Sequence, residues 1–316
     1  PMVYYHVWDN FPAPRFNKKY YNSNDFIATI SKVTDKIVRE VSPEVKTQYI
    51  PHAVDSEAYR PLDEEEVEKN REKIFGNYLT NEDGEEKMVF FWNNRNARRK
   101  QSGCLIWWFK EFLDKVGHDK ALLMMHTEPK DPHGQDLEAI VKALDLNDGQ
   151  VIFSTTKIGS EELSKVYNAA DCTINISDAE GFGLATLESL SCGTPILVNM
   201  TGGLQEQVTD GENWFGIGIE PCSKAIIGSQ PVPYIYEDRV HKNDFLDAIE
   251  KMYEAWSNNT EEYEKWCKLG VEHVEKNYNF DKFTDKWVAL MTEIYEKNGS
   301  WENREGYKSW ELRKVV

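Results

Sequence analysis

The sequence predicts an α/β protein with a doubly wound parallel sheet. Short apolar runs alternate with amphipathic stretches of about ten residues, the pattern of β-α-β units whose sheet is covered by helices on both faces. Crossovers between parallel strands are almost always right-handed, so the units wind onto both faces of one sheet. Beyond residue 241 the chain carries only helical patterns.

The elements follow in chain order from this periodicity. Strands are expected at residues 3–8, 26–30, 47–51, 88–92, 121–126, 151–154, 172–177 and 195–200. Helices are expected at residues 32–41, 102–116, 134–146, 161–170, 184–191, 244–256, 261–276 and 281–297. An additional acidic helix is expected directly after residue 63.

A stretch near residues 50–63 interrupts the rhythm, since it has two prolines and no periodicity, and it predicts a domain boundary. Residues 1–58 contain too few strands for an independent domain of this class, so we expect them to be the remnant of an N-terminal Rossmann-like domain and its linker. The chain begins inside an apolar run, which suggests that the earlier part of that domain is missing. Residues 59–275 are expected to form a complete Rossmann-like domain, and residues 276–316 a helical segment that packs back toward the N-terminal part.

The composition of the chain excludes several classes of function. The formal net charge of the 316 residues is −17, a field that repels nucleic acid, so an anionic ligand would need a local basic cluster. Five scattered cysteines without a Cys-x-x-Cys pair argue against a disulfide framework or a zinc site and for a reducing compartment. No apolar run reaches the length of about 18 residues that a membrane span needs. These features together favour a cytoplasmic protein.

A basic cluster follows the strand expected at 88–92. Its members, Arg95, Arg98, Arg99 and Lys100, lie within six residues. Ligands of open α/β sheets bind at the carboxyl ends of the strands, where arginine could hold a diphosphate as a planar fork and lysine as a point charge. A solvated loop before a helix start explains the same residues equally well.

Two glutamates, Glu180 and Glu188, surround the turn after the strand expected at 172–177. The Gly-Phe-Gly turn after Glu180 removes side chains where a ligand would approach the backbone, and the free N–H groups at a helix start favour an anion. Glu188 would point back toward the same strand ends, and its carboxylate could accept hydrogen bonds from the paired hydroxyls of a ribose. A surface position for Glu188 and a capping role for Glu180 are the alternatives.

The residues around this turn resemble a known family. Glu-(seven residues)-Glu, with Gly-Phe-Gly-Leu inside it and LESLSCGTP closing it, is similar to the retaining nucleotide-sugar glycosyltransferases of family 4, which have the GT-B fold. ELSKVYNAADCTINIS, TGGLQEQV and YIPHAVDSEAYRP resemble that family's preceding helix and strand, its Gly-Gly loop and its interdomain linker. NRNARRK spaces Arg95 and Lys100 as the family spaces the cations that hold the donor diphosphate. The resemblance covers roughly residues 1–295.

The chain also departs from the family's pattern. WNNR, at residues 92–95, stands where a Gly-Arg pair is more usual, and Thr186 stands where proline is common. Most of the N-terminal acceptor-binding domain is absent from residues 1–50.

The resemblance implies a GT-B-like enzyme that moves a sugar from a nucleoside-diphosphate sugar to an acceptor hydroxyl with retention of configuration. Arg95, Lys100 and Glu180 would be catalytic, and the cations would make a metal or other cofactor unnecessary. The implied donor-binding residues are Gly181, Phe182, Gly183, Leu184 and Glu188.

The implied partners are the nucleotide-sugar donor and a carbohydrate or lipid-linked acceptor, without nucleic acid; peripheral contact with a membrane stays open. His6 and Asp9 are the polar candidates for the cleft loop of the N-terminal part, although packing at the strand end explains them as well. Two other functions also stay open: donor binding without turnover by this chain, and a GT-B-fold sugar-nucleotide epimerase or phosphorylase. The sequence does not indicate the base, the sugar or the acceptor.

Overall fold

The structure is a computed structural model that describes residues 1–299. The strands are β1 (Val3–His6), β2 (Phe26–Thr29), β3 (Thr47–Tyr49), β4 (Met88–Asn93), β5 (Ala121–His126), β6 (Val151–Ser154), β7 (Cys172–Asn175), β8 (Ile196–Asn199), β9 (Gly216–Ile219), β10 (Ser223–Ile226) and β11 (Tyr236–Arg239). The helices are α1 (Lys18–Tyr21), α2 (Lys32–Val41), α3 (Glu64–Phe75), α4 (Ser102–Val116), α5 (Leu137–Ala143), α6 (Ser160–Ala169), α7 (Leu184–Ser191), α8 (Gln205–Val208), α9 (Lys242–Ser257), α10 (Thr260–Asn277) and α11 (Phe280–Asn298).

The predicted elements are confirmed with small shifts at their ends. The eight predicted strands correspond to β1–β8, and the helices predicted from periodicity correspond to α2, α4–α7 and α9–α11, with the acidic helix as α3. The sequence did not predict β9, the β10–β11 hairpin or the four-residue helices α1 and α8. Within residues 1–299, no helix is both long and apolar enough to cross a membrane.

Six parallel strands form the larger sheet, in the order β6-β5-β4-β7-β8-β9. Along the chain, β5 and β6 are added on one side of β4, and β7, β8 and β9 are added on its other side. This is the strand order of a doubly wound Rossmann sheet. The order reverses between β4 and β7, where Phe90 lies opposite Cys172. A crevice therefore opens at the carboxyl ends of these two strands.

The central strand β4 is buried on both faces. Met88, Phe90 and Trp92 point into a core that α4 and α9 cover. Val89 and Phe91 point into the opposite core, which α3, α6 and α7 cover. Because both faces are covered, β4 can place polar side chains only at its end.

The smaller sheet contains three parallel strands in the order β1-β2-β3. On one face Ile27 packs against Ile37 and its neighbours in α2. On the other face Ala28 lies in one cluster with Leu290 and Ile294 of α11. Helix α11 thus covers the small sheet, whereas the predicted part of the C-terminal segment beyond residue 299 lies outside the described residues. The division of the chain at residues 58 and 275 stays a prediction.

The two sheets meet at the buried carboxylate of Glu206. Its Oε2 accepts the Lys32 N–H at the start of α2 at 3.0 Å, and its Oε1 accepts the Tyr49 hydroxyl at 2.9 Å. The backbone carbonyl of Glu206 lies 3.0 Å from His273 Nε2 and accepts the Tyr278 hydroxyl at 3.1 Å. This Glu206 junction joins the small sheet, α8 and the end of α10.

A buried ion pair fastens α3 to the start of β7. Arg71 Nη1 donates to Asp171 Oδ1 at 2.9 Å, and Asp171 Oδ2 accepts the backbone N–H of Val89 at 2.7 Å. Both side chains are about nine-tenths buried, with 10% and 12% of their surface exposed. Neither charge can therefore turn to solvent when its partner is removed.

We predict that Asp171→Ala lowers the free energy of unfolding by about 3–5 kcal/mol, because it leaves the buried Arg71 guanidinium with only the exposed carboxylate of Glu86, 3.8 Å away, as a counter-charge. Urea denaturation followed by circular dichroism measures the change. Glu293→Ala is the control, since it breaks an exposed pair with Lys297 on α11 and should leave the denaturation midpoint almost unchanged. A small effect of Asp171→Ala, similar to the control, would contradict the prediction.

Candidate active site

The candidate site lies in the crevice between the carboxyl ends of β4 and β7. The loop after β4 carries the basic cluster, and the loop after β7 carries Glu180 and the Gly-Phe-Gly turn. The two loops touch, since the backbone N–H of Asp178 donates to the carbonyl of Arg99 at 2.7 Å. The structure therefore brings together two segments that are about 80 residues apart, as their positions after adjacent strands require.

Lys100 is the buried cation of this crevice. Only 8% of its side chain is exposed, and its Nζ donates to Oε2 of Glu180. Burial lowers the pKa of Lys100, and the Glu180 carboxylate opposes that shift. Arg99 lies alongside, with Nη1 donating to the Ala179 carbonyl at 2.5 Å and 3.8 Å from Oε2 of Glu180.

A single residue with left-handed backbone shapes the turn into α7. Gly183 has φ +96°, a conformation that favours glycine, and it places the free N–H groups of the first turn of α7 at the cavity. The Gly-Gly loop packs onto this turn, because Gly203 N–H donates to the Glu180 carbonyl at 3.0 Å and Gln207 Nε2 donates to the Phe182 carbonyl at 2.8 Å. A Cβ at Gly202 would collide with the same Glu180 carbonyl.

A cavity of about 400 Å³ lies between these loops. Its walls are rich in hydrogen-bond donors, and Glu180 supplies the carboxylate. The cavity is lined by Val7, Ile30, His52, Asn94, Arg99, Lys100, Asn175, Glu180, Gly181, Phe182, Gly183, Leu184 and Ala185. Five of the residues predicted from the sequence to bind the donor or act on it therefore share one cavity with Lys100.

Glu188 lies beside this cavity instead of lining it. Its Oε2 accepts the Tyr167 hydroxyl at 2.9 Å, and that hydroxyl in turn accepts Nδ2 of Asn93 at 2.9 Å. The chain of hydrogen bonds connects α7 with the last residue of β4. Burial raises the pKa of Glu188 to about 7, and hydrogen bonds from Tyr167 and Tyr59 oppose the shift.

Arg95 lies outside the cavity. Its Nε donates to Asp131 Oδ2 at 2.7 Å and its Nη2 to Asp131 Oδ1 at 3.1 Å, and 61% of its side chain is exposed. The structure thus places Arg99, four residues further on, where the spacing argument had placed Arg95. The role of Arg95 at a diphosphate stays a prediction.

His6 and Asp9 differ in their surroundings. His6 is buried, its Nε2 lies 2.8 Å from the Tyr21 hydroxyl, and burial lowers its pKa to about 4. These contacts are those of a packing residue at a strand end. Asp9 also lies outside the cavity lining, but it is close enough to Glu180 and Arg99 to feel both charges; burial raises its pKa to about 6, Glu180 adds to the rise and Arg99 opposes it.

Sequence reasoning missed the β10–β11 hairpin at this site. Arg98 Nη2 donates to Glu237 Oε2 at 2.9 Å, and Tyr236 N–H donates to the Phe11 carbonyl at 2.8 Å. The hairpin therefore joins the basic loop to the loop after β1. Its strand Tyr-Glu-Asp-Arg has little apolar character, so the sequence offered no signal of it. Asn94, Asn175 and His52 were also missed.

Comparison with known proteins finds relatives of the larger unit. Residues 80–229 match the model of the family described as glycosyl transferases group 1. Residues 80–229 are thus similar to a group 1 glycosyltransferase domain. The D-inositol 3-phosphate glycosyltransferase of Paenarthrobacter aurescens (strain TC1) is 26% identical over 125 residues, 40% of this chain and 25% of that protein. The same enzyme of Corynebacterium jeikeium (strain K411) is 26% identical over 188 residues, 59% of this chain and 43% of that protein.

Solved structures share the fold well beyond residues 80–229. Sucrose-phosphate synthase from Thermosynechococcus elongatus superposes with a TM-score of 0.69 at 20% identity, over 89% of this chain and 61% of that one. Anabaena Alr3699/HepE in complex with UDP superposes with a TM-score of 0.70 at 15% identity, over 93% of this chain and 72% of that one. The fold is thus GT-B-like, as the sequence resemblance implied. The chain spans less than half the length of either curated relative.

We predict that Glu188→Gln changes the pH dependence of stability. With a folded pKa near 7 and an ordinary value of 4.5, the folded state binds the proton more tightly, so the stability contributed by Glu188 falls as pH rises between these values. Glutamine resembles the protonated form of Glu188. The free energy of unfolding of the variant should therefore equal that of the parent near pH 4.5 and be larger than that of the parent at pH 8. Urea denaturation at several pH values measures the difference.

Glu138→Gln, on the exposed face of α5, controls for the exchange of the side chain itself. A stability difference between Glu188→Gln and the parent that is the same at every pH would contradict the prediction.

Proposed function

We propose that this chain binds a nucleoside-diphosphate sugar and belongs to an enzyme that transfers the sugar to an acceptor hydroxyl with retention of configuration. The observation that carries the proposal is the buried ammonium of Lys100, held against Glu180 where the α7 N-terminus faces the same cavity. A buried cation at a helix N-terminus is suited to phosphate oxygens. The family match of residues 80–229 supports sugar transfer as the reaction.

The diphosphate would lie between the basic loop and α7. Lys100 offers a point charge and Arg99 a planar guanidinium on the same wall. The free N–H groups at the start of α7 would add hydrogen bonds, since the first helical turn has no carbonyl partners for them. Solved structures of Anabaena Alr3699/HepE contain UDP and UDP-glucose, which supports a nucleoside diphosphate as the ligand of this chain.

The two glutamates would bind the neutral parts of the donor. When a phosphate oxygen takes the ammonium of Lys100, Glu180 is left to accept hydrogen bonds from sugar hydroxyls in the same cavity. Glu188, about one helical turn after the start of α7 at Leu184, would accept the ribose hydroxyls in its ionised form. The Tyr167 hydroxyl fixes the orientation of the Glu188 carboxylate for this contact.

The chemical step would be a transfer on one face of the sugar. The bond between the anomeric carbon and the phosphate oxygen breaks while the acceptor oxygen attacks from the same side, and the departing phosphate takes the acceptor's proton. Negative charge grows on the leaving diphosphate, so the fixed positive charge of Lys100 and Arg99 lowers the barrier. Because these cations already neutralise the leaving group, we propose that transfer needs no metal ion.

We predict that one of UDP, GDP or ADP raises the melting temperature of the chain by a few degrees. A ligand present at about 100 times its dissociation constant stabilises the folded state by about 2.7 kcal/mol. A thermal-shift series with the three nucleotides and their nucleosides measures the effect. The absence of a shift with every nucleoside diphosphate would contradict the proposed donor.

We predict that Lys100→Ala and Arg99→Ala each lower the affinity for the stabilising nucleoside diphosphate at least tenfold, about 1.4 kcal/mol. Calorimetric titration measures the affinities, and the rate of sugar transfer to an added acceptor should fall by a similar factor. Arg95→Ala tests the position chosen from spacing. A loss in Arg95→Ala equal to that in Lys100→Ala, with Arg99→Ala unchanged, would assign the second cation to Arg95.

The same series separates a transferase from a donor-binding chain without turnover. Nucleotide binding that depends on Lys100, combined with no transfer to any acceptor, would favour binding alone. Release of an epimerised sugar nucleotide without an acceptor would favour the epimerase.

A further inference from the structure

Asn175 ends β7 with a side-chain amide that has a forced orientation. Its Oδ1 accepts the Ser177 backbone N–H at 3.2 Å and the Ser177 hydroxyl at 2.5 Å. A backbone N–H can only donate, so Oδ1 must face it and Nδ2 must point the other way. The residue is 1% exposed and lines the cavity described above. Within residues 1–299, Nδ2 of Asn175 is buried and has no hydrogen-bond acceptor.

Asn94 presents the same feature from the other side of the crevice. It follows β4 directly, lines the same cavity, and its Nδ2 is also buried without an acceptor in the described part of the chain. It stands where the resembled family more usually has glycine before arginine, so this amide is a feature of this chain. Two buried donors without partners are costly to the folded protein, and both lie at the carboxyl ends of adjacent strands around one cavity.

We propose that Asn94 and Asn175 bind phosphate oxygens of the nucleoside diphosphate through their Nδ2 groups. The inference rests on the proposed function and assigns two further ligand-binding residues to its site. The ligand group must be an acceptor, because an amide Nδ2 group can only donate. Lys100, Arg99 and the α7 N–H groups on the same walls are donors as well. Phosphate oxygens carry enough lone pairs to satisfy several donors at once.

Neutral amides and cations differ in their response to salt. The attraction between Lys100 and a diphosphate weakens as ions screen it, over a Debye length that falls from about 10 Å at 0.1 M to about 3 Å at 1 M. A hydrogen bond from an uncharged amide lacks this long-range part. The affinity that Asn94 and Asn175 contribute should therefore persist at salt concentrations that reduce the contribution of Lys100.

The test is a calorimetric titration of the full chain with the stabilising nucleoside diphosphate, its nucleoside and inorganic pyrophosphate, at about 0.05 M and 0.5 M salt. The variants are Asn94→Ala, Asn175→Ala, Lys100→Ala and Asn94→Asp. Asn70→Ala is the matched control, because its Nδ2 is also buried without an acceptor among residues 1–299 but lies in α3, away from this cavity.

We expect Asn94→Ala and Asn175→Ala each to lower the affinity for the diphosphate about tenfold, by the same factor at both salt concentrations, and to leave nucleoside affinity unchanged. Pyrophosphate affinity should fall by the same factor. Asn94→Asp should lose more affinity for the diphosphate than Asn94→Ala, since it replaces a donor by a negative charge. Asn70→Ala should bind the diphosphate with the affinity of the parent. Asn94 is half-buried in a loop, so its variants test the inference even where Asn175→Ala unfolds.

Diphosphate affinity that is unchanged in both alanine variants, while Lys100→Ala loses it, would overturn the inference and leave the proposed function standing. An equal loss of nucleoside affinity would also overturn the inference, because it would place the amides on another part of the ligand. No binding of any nucleoside diphosphate by the parent chain would overturn the proposed function itself.

Discussion

The burial of β4 on both faces is the constraint on which the candidate site depends. The five consecutive residues Met88–Trp92 are all fully buried, and each face of the strand packs into a separate core. Such a strand has no room for polar side chains until it reaches the edge of the sheet. The polar residues of this segment, starting at Asn93, are therefore concentrated at the carboxyl end, next to the end of β7. The position of the crevice follows from the core.

The charges of the crevice follow from the same burial. An ammonium that is 8% exposed needs an opposite charge close by, and Glu180 supplies it to Lys100. Beside this pair, Asp178 is also buried and pairs with Arg239 at 2.7 Å. In a chain of net charge −17, the crevice thus holds several cations, each paired with a carboxylate. These cations are the electrostatic basis for the anionic ligand that we propose.

The Glu206 junction connects the small sheet to the same turn. Glu206 holds the α2 N–H and the Tyr49 hydroxyl, and three residues earlier Gly203 donates to the carbonyl of Glu180. A few hydrogen bonds therefore connect the small sheet with the backbone of the turn that carries Glu180. Burial raises the pKa of Glu206, and the hydrogen bonds from Lys32 and Tyr49 oppose that rise. The TGGLQEQV segment thus contributes to the site through packing and hydrogen bonds without lining the cavity.

The sequence by itself determined the order of the elements and the place of the crevice. Strands such as β4 and β5 are continuous apolar runs, and α7 begins and ends where its pattern does, because these signals are local. It did not predict β9, which contains two glycines in four residues, or β11, which is almost entirely polar, because both are held by pairing with neighbouring strands. Only the tertiary structure decided that Arg99 lines the cavity while Arg95 pairs with Asp131, since spacing along a loop does not determine which side chain faces inward. It also decided that Asn175 is buried with its donor unpaired, because burial and hydrogen-bond partners come from segments distant in sequence.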